Sequence, residues 1–297
     1  MFARVDILQL NPEIQGLFGN IMHRRATIPA RVNIIGEHTD YAEGFALPFA
    51  MDSYLILEAK KSSGEFVGDS TLVKLWKAAR GGPASLTISS DIPIGKGMSS
   101  SAALCLAIVL CAQGPNDPLE ICKEAQRIEH EVLKTPCGLL DQMAMMFAKK
   151  GQTTLIDFSN NSIEYFEIPK KWIFKLVDSK IHRSLAKTSY NNGNEFLKTH
   201  VFEENLRVKK ALSASAYELG ELLNQSHASL ISLGVSLPEI DLQVKLLQET
   251  TGVLGARMMG GGFGGMILVL VENSEILPQV PIISSSSAAL LEEFFES

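Results

Sequence analysis

The segment Pro93-Ile-Gly-Lys-Gly-Met-Ser-Ser-Ser-Ala-Ala103 restricts the fold more than any other stretch of the chain. A short strand candidate at 86–89 precedes it and an apolar run at 99–112 follows, so the order is strand, glycine loop, helix. Free backbone N–H groups and the positive end of the helix dipole make such a loop a cradle for an anion. It is not the P-loop pattern, because no Gly-Lys-Ser/Thr follows four variable residues after a glycine; Lys96 lies inside the loop instead. A second reading is equally physical: Ser99 caps a structural helix while Gly95 and Gly97 merely turn the chain.

Two further segments concentrate unusual residues. Between Ala30 and Pro48, Arg31, Glu37, His38 and Asp40 crowd beside Gly36 and Gly44. Carboxylates and an imidazole held on a loop suit paired hydrogen bonds to neighbouring hydroxyls, each of which donates and accepts; a solvated polar turn between strands is the alternative. The segment 255–265 places five glycines in its last six residues. Close approach of backbone to a ligand justifies the entropy such a run costs, and a flexible hinge is the other reading. Glu129 and Asp141 stand twelve residues apart. Beside a phosphate loop, one carboxylate on Mg²⁺ and one near an attacking hydroxyl form a minimal set for phosphoryl transfer.

Helical periodicity at 119–133, 138–148, 203–223 and 238–250, a hairpin at 153–168 turning on Asn160 and Asn161, and strands at 173–178 and 266–271 predict an α+β protein. The pattern restarts after Lys171, which places one domain at 1–168 and a second at 169–297. With 297 residues of which 46% are hydrophobic, the chain has apolar surface for both. Its 27 basic against 33 acidic residues, a net charge of −6, argue against a nucleic-acid partner. The four cysteines form no CxxC pair and read as reduced core thiols. No basic region followed by a long apolar stretch opens the chain, and the run 102–112 is far below the about 20 residues that cross a bilayer. A soluble cytoplasmic protein with no membrane partner is expected.

Taken in order, these segments resemble the galactokinase branch of the GHMP small-molecule kinases. RVNIIGEHTDYAEGFALP is similar to that branch's sugar-site signature, PIGKGMSSSAAL to the shared phosphate loop and GARMMGGGFGGMILVLV to the third motif; LLDQMAMMFAKKGQTTLIDF and SLAKTSY fit as well. The resemblance implies a two-domain GHMP kinase fold, with an N-terminal domain like domain 2 of ribosomal protein S5 and a ferredoxin-like α+β C-terminal domain. It implies an ATP-dependent sugar 1-kinase using Mg²⁺, acting on galactose, with N-acetylgalactosamine, arabinose or a uronic acid as alternative substrates, and with a non-catalytic sugar sensor as the rival of a different class. By residue, it implies that Glu37, His38, Thr39, Asp40, Gly138 and Tyr190 line the sugar and that Asp141 is the catalytic carboxylate with Arg31 beside it. Gly95, Lys96, Gly97, Met98, Ser99, Ser100 and Ser101 wrap the nucleotide phosphates, and Ser101 and Glu129 hold the metal. A monomer suffices, since both halves of such a site lie in one chain. The segment between Asp52 and Ser85 is shorter than is usual in the branch, leaving Trp76 and a short helix.

Overall fold

The computed structural model describes residues 21–93, 95–181 and 195–295. Strand β1 (Ile21–Asn33) runs through a loop into β2 (Phe45–Ala46) and β3 (Pro48–Lys61). Ala26, Ile28, Ala30 and Val32 recur along β1 at the strand period of two and are fully buried. β1 and β3 pair antiparallel, with a register shift between Pro29 and Ala30. Helix α1 (Ser70–Ala78) follows, opened by Asp69, whose side chain accepts from the Thr71 N–H, and β4 (Ala84–Ser90) then pairs with β3.

Helix α2 (Ser100–Gln113) is apolar around its whole circumference, and it packs on β1 and β3 while the next helix covers it. That helix, α3 (Pro118–Ile128), starts at an Asp117 cap with proline in its first turn. The single helix expected at 119–133 ends its α-helical part at Ile128 and continues as a π-helical turn, Glu129–Leu133. The change of winding carries Glu129 inward to 2% exposure, in line with the use of such turns at functional sites. Helix α4 (Leu140–Met146) and the hairpin of β5 (Gln152–Asp157) and β6 (Ser162–Glu167) follow; Asn161 takes the left-handed conformation at the turn, as its position implied.

The remaining chain gives β7 (Ile173–Asp178), α5 (Glu195–Ala211), α6 (Ala216–Leu233), α7 (Pro238–Gln248), β8 (Val253–Met258), β9 (Met266–Val271) and β10 (Leu290–Phe295). The helix expected across 203–223 is two helices. Ser215 stops the first from continuing: its hydroxyl accepts from the Glu218 N–H and the Glu218 carboxylate accepts from the Ser215 N–H, a capping box that starts α6. Part of the glycine segment 255–265 is strand β8, not loop.

β9 is the middle strand of the β7-β9-β8 sheet, and its two faces serve two cores. Leu268 and Leu270 face the main core that also contains α2 and Phe49, whereas Ile267, Val269 and Val271 face a smaller cluster with Leu230, Ile240 and Val244. The main core therefore runs across the expected boundary at residue 168. β10 crosses it as well, by pairing with β1 at the edge of the first sheet, so the segment 169–297 does not stay in one lobe. No single helix among the described residues is long and apolar enough to cross a membrane.

Candidate active site

One cleft of about 110 Å³ lies where the first sheet, the start of α2 and the glycine loop after β8 converge. Arg31, Glu37, His38, Asp40, Gly95, Gly97 to Ser101, Glu129, Gly138 and Asp141 all line it, with Tyr41, Cys137, Gly260 and Gly261. Residues expected from four separate segments thus meet in one place.

Arg31 leaves the end of β1 buried at 2% exposure. Its Nε and Nη2 each lie 2.8 Å from Asp141 Oδ1, and its Nη1 donates to the Gly97 carbonyl at 2.9 Å. The other carboxylate oxygen of Asp141 accepts from the Ser99 hydroxyl. Ser99 does not cap α2: its side chain makes no bond to the first N–H groups of that helix. Ser100 and Ser101, the first residues of the helix, line the cleft beside Gly95 and Gly97, whose positive φ values of 71° and 73° wrap the loop around the same space. Deeper in, Ser101 Oγ donates to Glu129 Oε1 at 2.6 Å and Gln142 Nε2 donates to Glu129 Oε2 at 3.0 Å. Burial, with a further push from Asp141, raises Glu129 to about 7 despite these bonds.

The sugar-loop candidates divide. Asp40 Oδ2 accepts from the Leu140 N–H at 3.2 Å and is pushed up to about 7 by burial and then by the charge of Asp141. Gly138 lies against it so tightly that a Cβ there would sit 1.9 Å from Asp40 Oδ2. His38 takes a left-handed backbone and places its Nδ1 2.9 Å from the Tyr41 hydroxyl. Glu37 sends Oε1 to the Gly260 N–H at 2.7 Å and to Arg257 Nη2 at 3.2 Å; burial pushes this carboxyl up, but Arg257, Arg31 and the N–H together hold it below the usual range.

Two expected contacts fall elsewhere. Thr39 is fully buried and does not line the cleft; its hydroxyl is shared between the Gly36 and Phe45 carbonyls, closing the turn of the loop. Lys96 turns its ammonium away to Asp178 at the end of β7, 3.0 Å distant. Tyr190 lies outside the described residues.

The glycine-rich segment backs the phosphate loop. Met266 N–H donates to the Lys96 carbonyl at 3.0 Å, and a Cβ on Gly265 would stand 2.5 Å from that oxygen. Close packing of backbone on backbone, not a hinge, accounts for these glycines.

Sequence reasoning missed the residues that hold the sugar loop from behind. Arg257, fully buried on β8, donates to the Asn33, Ile34 and Met258 carbonyls as well as to Glu37. Glu204 on α5 accepts from the Gly36 N–H at 3.0 Å, the Ser226 hydroxyl and Arg207. His200 contacts the Glu37 carbonyl and Asn205 accepts from the Phe45 N–H. An arginine inside an otherwise apolar strand was a signal for Arg257; nothing local marks the three on α5.

Three family models match the chain: GHMP kinases N terminal domain over residues 69–149, the galactokinase galactose-binding signature over 17–61, and GHMP kinases C terminal over 186–280. The chain is 36% identical to a galactokinase of Thermotoga maritima, over 82% of this chain and 87% of that one. It is 33% identical to a galactokinase of Thermosipho africanus with the same coverage. Among solved structures, Lactococcus lactis galactokinase complexed with galactose superposes with a TM-score of 0.79 at 22% identity, covering 93% of this chain and 97% of that one. Methanococcus jannaschii mevalonate kinase follows the same fold, with a TM-score of 0.67 at 19% identity over 91% and 99% of the two chains.

Proposed function

The chain belongs to the galactokinase family of the GHMP kinases, and from that premise we propose that it transfers the γ-phosphoryl group of ATP to the O1 hydroxyl of galactose, giving galactose 1-phosphate and ADP. The observation that carries the reading is Asp141, held by Arg31 and Ser99 between the carboxylates of the sugar loop and the uncapped start of α2.

In this reading Glu37, His38, Asp40 and the backbone at Gly138 orient the sugar through hydrogen bonds that each hydroxyl both gives and takes. The loop 95–101 and the N–H groups of α2 hold the nucleotide phosphates. The O1–H proton passes to Asp141 as O1 bonds to phosphorus and the bond from the γ-phosphorus to the bridging oxygen breaks, leaving ADP. Arg31, beside the carboxylate, offsets charge on the transferring group, and such positioning and charge stabilisation account for most of the rate in phosphoryl transfer.

Ser101 and Glu129 are the residues for Mg²⁺. Their donor set fits: a hydroxyl and a carboxylate, both hard oxygen ligands, stand together, and Glu129 is a buried carboxyl that a cation would stabilise in its charged form. When bound, Mg²⁺ supplies charge neutralisation to the phosphates.

The test is a coupled phosphorylation assay with Mg·ATP over a panel of sugars including galactose, N-acetylgalactosamine, arabinose and galacturonic acid, run beside Asp141→Ala. Turnover of galactose above the other sugars, lost in the variant, is the expected result. Sugar binding by calorimetry with no turnover of any sugar would overturn the kinase reading in favour of a silent sugar sensor.

A further inference from the structure

We propose that Ser99 is a positioning residue for Asp141, not a ligand of the nucleotide phosphates. The proposal rests on the reading of Asp141 given above and goes beyond it.

A serine at a helix N-cap ordinarily takes an extended backbone, which turns its hydroxyl back over the second or third N–H of the helix. Ser215 does this at the start of α6, with φ −64° and ψ 168°. Ser99 stands at the same place on α2 with φ 58° and ψ 38°, a left-handed conformation that residues with a Cβ disfavour, and makes no cap bond. Its hydroxyl donates to Asp141 Oδ2 instead. The departure has two consequences. The first N–H groups of α2 receive no cap bond from Ser99, which leaves them to an anion, and the Asp141 carboxylate is gripped at both oxygens, Oδ1 by Arg31 and Oδ2 by Ser99.

Arg31 closes the circuit. Its Nη1 bonds the carbonyl of Gly97, two residues before Ser99 in the same loop. Gly97, Arg31, Asp141 and Ser99 therefore form a ring that fixes the carboxylate relative to the phosphate loop itself. A loop that moves by a fraction of an ångström moves Asp141 with it, so the distance between the proton acceptor and the transferring group is held by one rigid unit.

The experiment separates the hydroxyl from the backbone strain with three variants of the full chain, Ser99→Ala, Ser99→Gly and Ser99→Thr, measured beside wild type and Asp141→Ala. A hydrogen bond to a charged group supports roughly a 10- to 100-fold effect. Ser99→Ala and Ser99→Gly are expected to lose kcat to that extent with KM for sugar and ATP within about threefold of wild type. Ser99→Gly should melt above Ser99→Ala, because glycine accepts the left-handed backbone. Ser99→Thr keeps the hydroxyl, so most of kcat should return although its β-branched side chain lowers Tm. A kcat for Ser99→Ala within twofold of wild type overturns the proposal, as does a loss confined to KM for ATP, which makes Ser99 a phosphate ligand. Activity retained by Ser99→Gly but lost in Ser99→Ala also overturns it, by assigning the effect to strain. An active Asp141→Ala would instead overturn the reading of Asp141, so the two failures are distinct.

Discussion

Arg257 Nη2 lies 3.2 Å from Glu37 Oε1, although the two residues are 220 positions apart in the chain. Both are buried, and the guanidinium spends its other donors on the Asn33, Ile34 and Met258 carbonyls. A single side chain of β8 thereby holds the backbone that leaves β1 and the first acidic residue of the sugar loop.

Arg257→Met should therefore cost more than a surface ion pair. Removing one partner of a buried pair leaves the other charge unpaired, at about 3–5 kcal/mol. Urea unfolding is expected to report a loss of that order, with weaker sugar binding by calorimetry. The double variant Glu37→Gln with Arg257→Met should recover part of the stability but none of the binding. A loss below about 1 kcal/mol for Arg257→Met would show that the brace is not structural.

Gly138→Ala tests close approach. The added Cβ would lie 1.9 Å from Asp40 Oδ2 and 2.2 Å from its Cγ, so Asp40 must move. Gly138 has no positive φ, and the backbone itself accepts alanine. The expected outcome is a cooperative unfolding curve close to wild type with sugar affinity at least tenfold weaker. Unchanged affinity would mean that Asp40 does not need its present position.

The sequence made the site more legible than its supports, for a physical reason. Glycine at 95 and 97, serines at a helix start and polar residues in a loop between strands break local rules, and each break is visible without knowing what lies opposite. Thr39 shows the limit: the family resemblance implied a sugar contact there, but loop closure took its hydroxyl. Lys96 shows another, since its partner Asp178 lies 82 residues away. Glu204 and His200 look like any polar residues on a helix; only the packing of α5 on the loop gives them roles. β10, Leu-Leu-Glu-Glu-Phe-Phe, carries no alternation that marks a strand, and the partner that Glu293 meets across the ladder, Arg24 on β1, lies 269 residues away in the chain.

Two raised carboxyls give the ligand-free protein a particular pH dependence. Asp40 is held at about 7 against an ordinary 3.8, chiefly by burial, so between these values the folded chain keeps a proton that the unfolded chain has lost. Stability from this group is present at low pH and falls as pH rises towards 7, by at most about 1.4 kcal/mol per unit. Glu129, also near 7, acts in the same direction. His227 opposes them: burial lowers it to about 4 from 6.5, so its contribution is lost as pH falls through that window. The useful quantity is thus the Tm of wild type minus that of Asp40→Asn, measured at pH 5, 6 and 8. This difference should decline as pH rises, with the variant the more stable at pH 8 and deficient in sugar binding. A flat difference would place the Asp40 carboxyl in its ordinary range.

Glu204 is fully buried on α5 and accepts three bonds: from the Gly36 N–H and the Ser226 hydroxyl at Oε1, and from Arg207 Nε at Oε2. Glu204→Gln preserves shape but replaces one acceptor with a donor and removes the charge facing Arg207. Whichever way the amide turns, either Arg207 or the pair formed by Gly36 and Ser226 meets an N–H where it met an oxygen. A loss of about 2–4 kcal/mol is expected from the unmet buried groups. The kinetic consequence should be selective. Gly36 begins the sugar loop, whereas the loop 95–101 is packed against the glycines after β8, so KM for the sugar should rise at least fivefold while KM for ATP stays within about twofold. A parallel rise in both would mean that α5 holds the whole cleft, and the selective coupling between α5 and the sugar loop would be withdrawn.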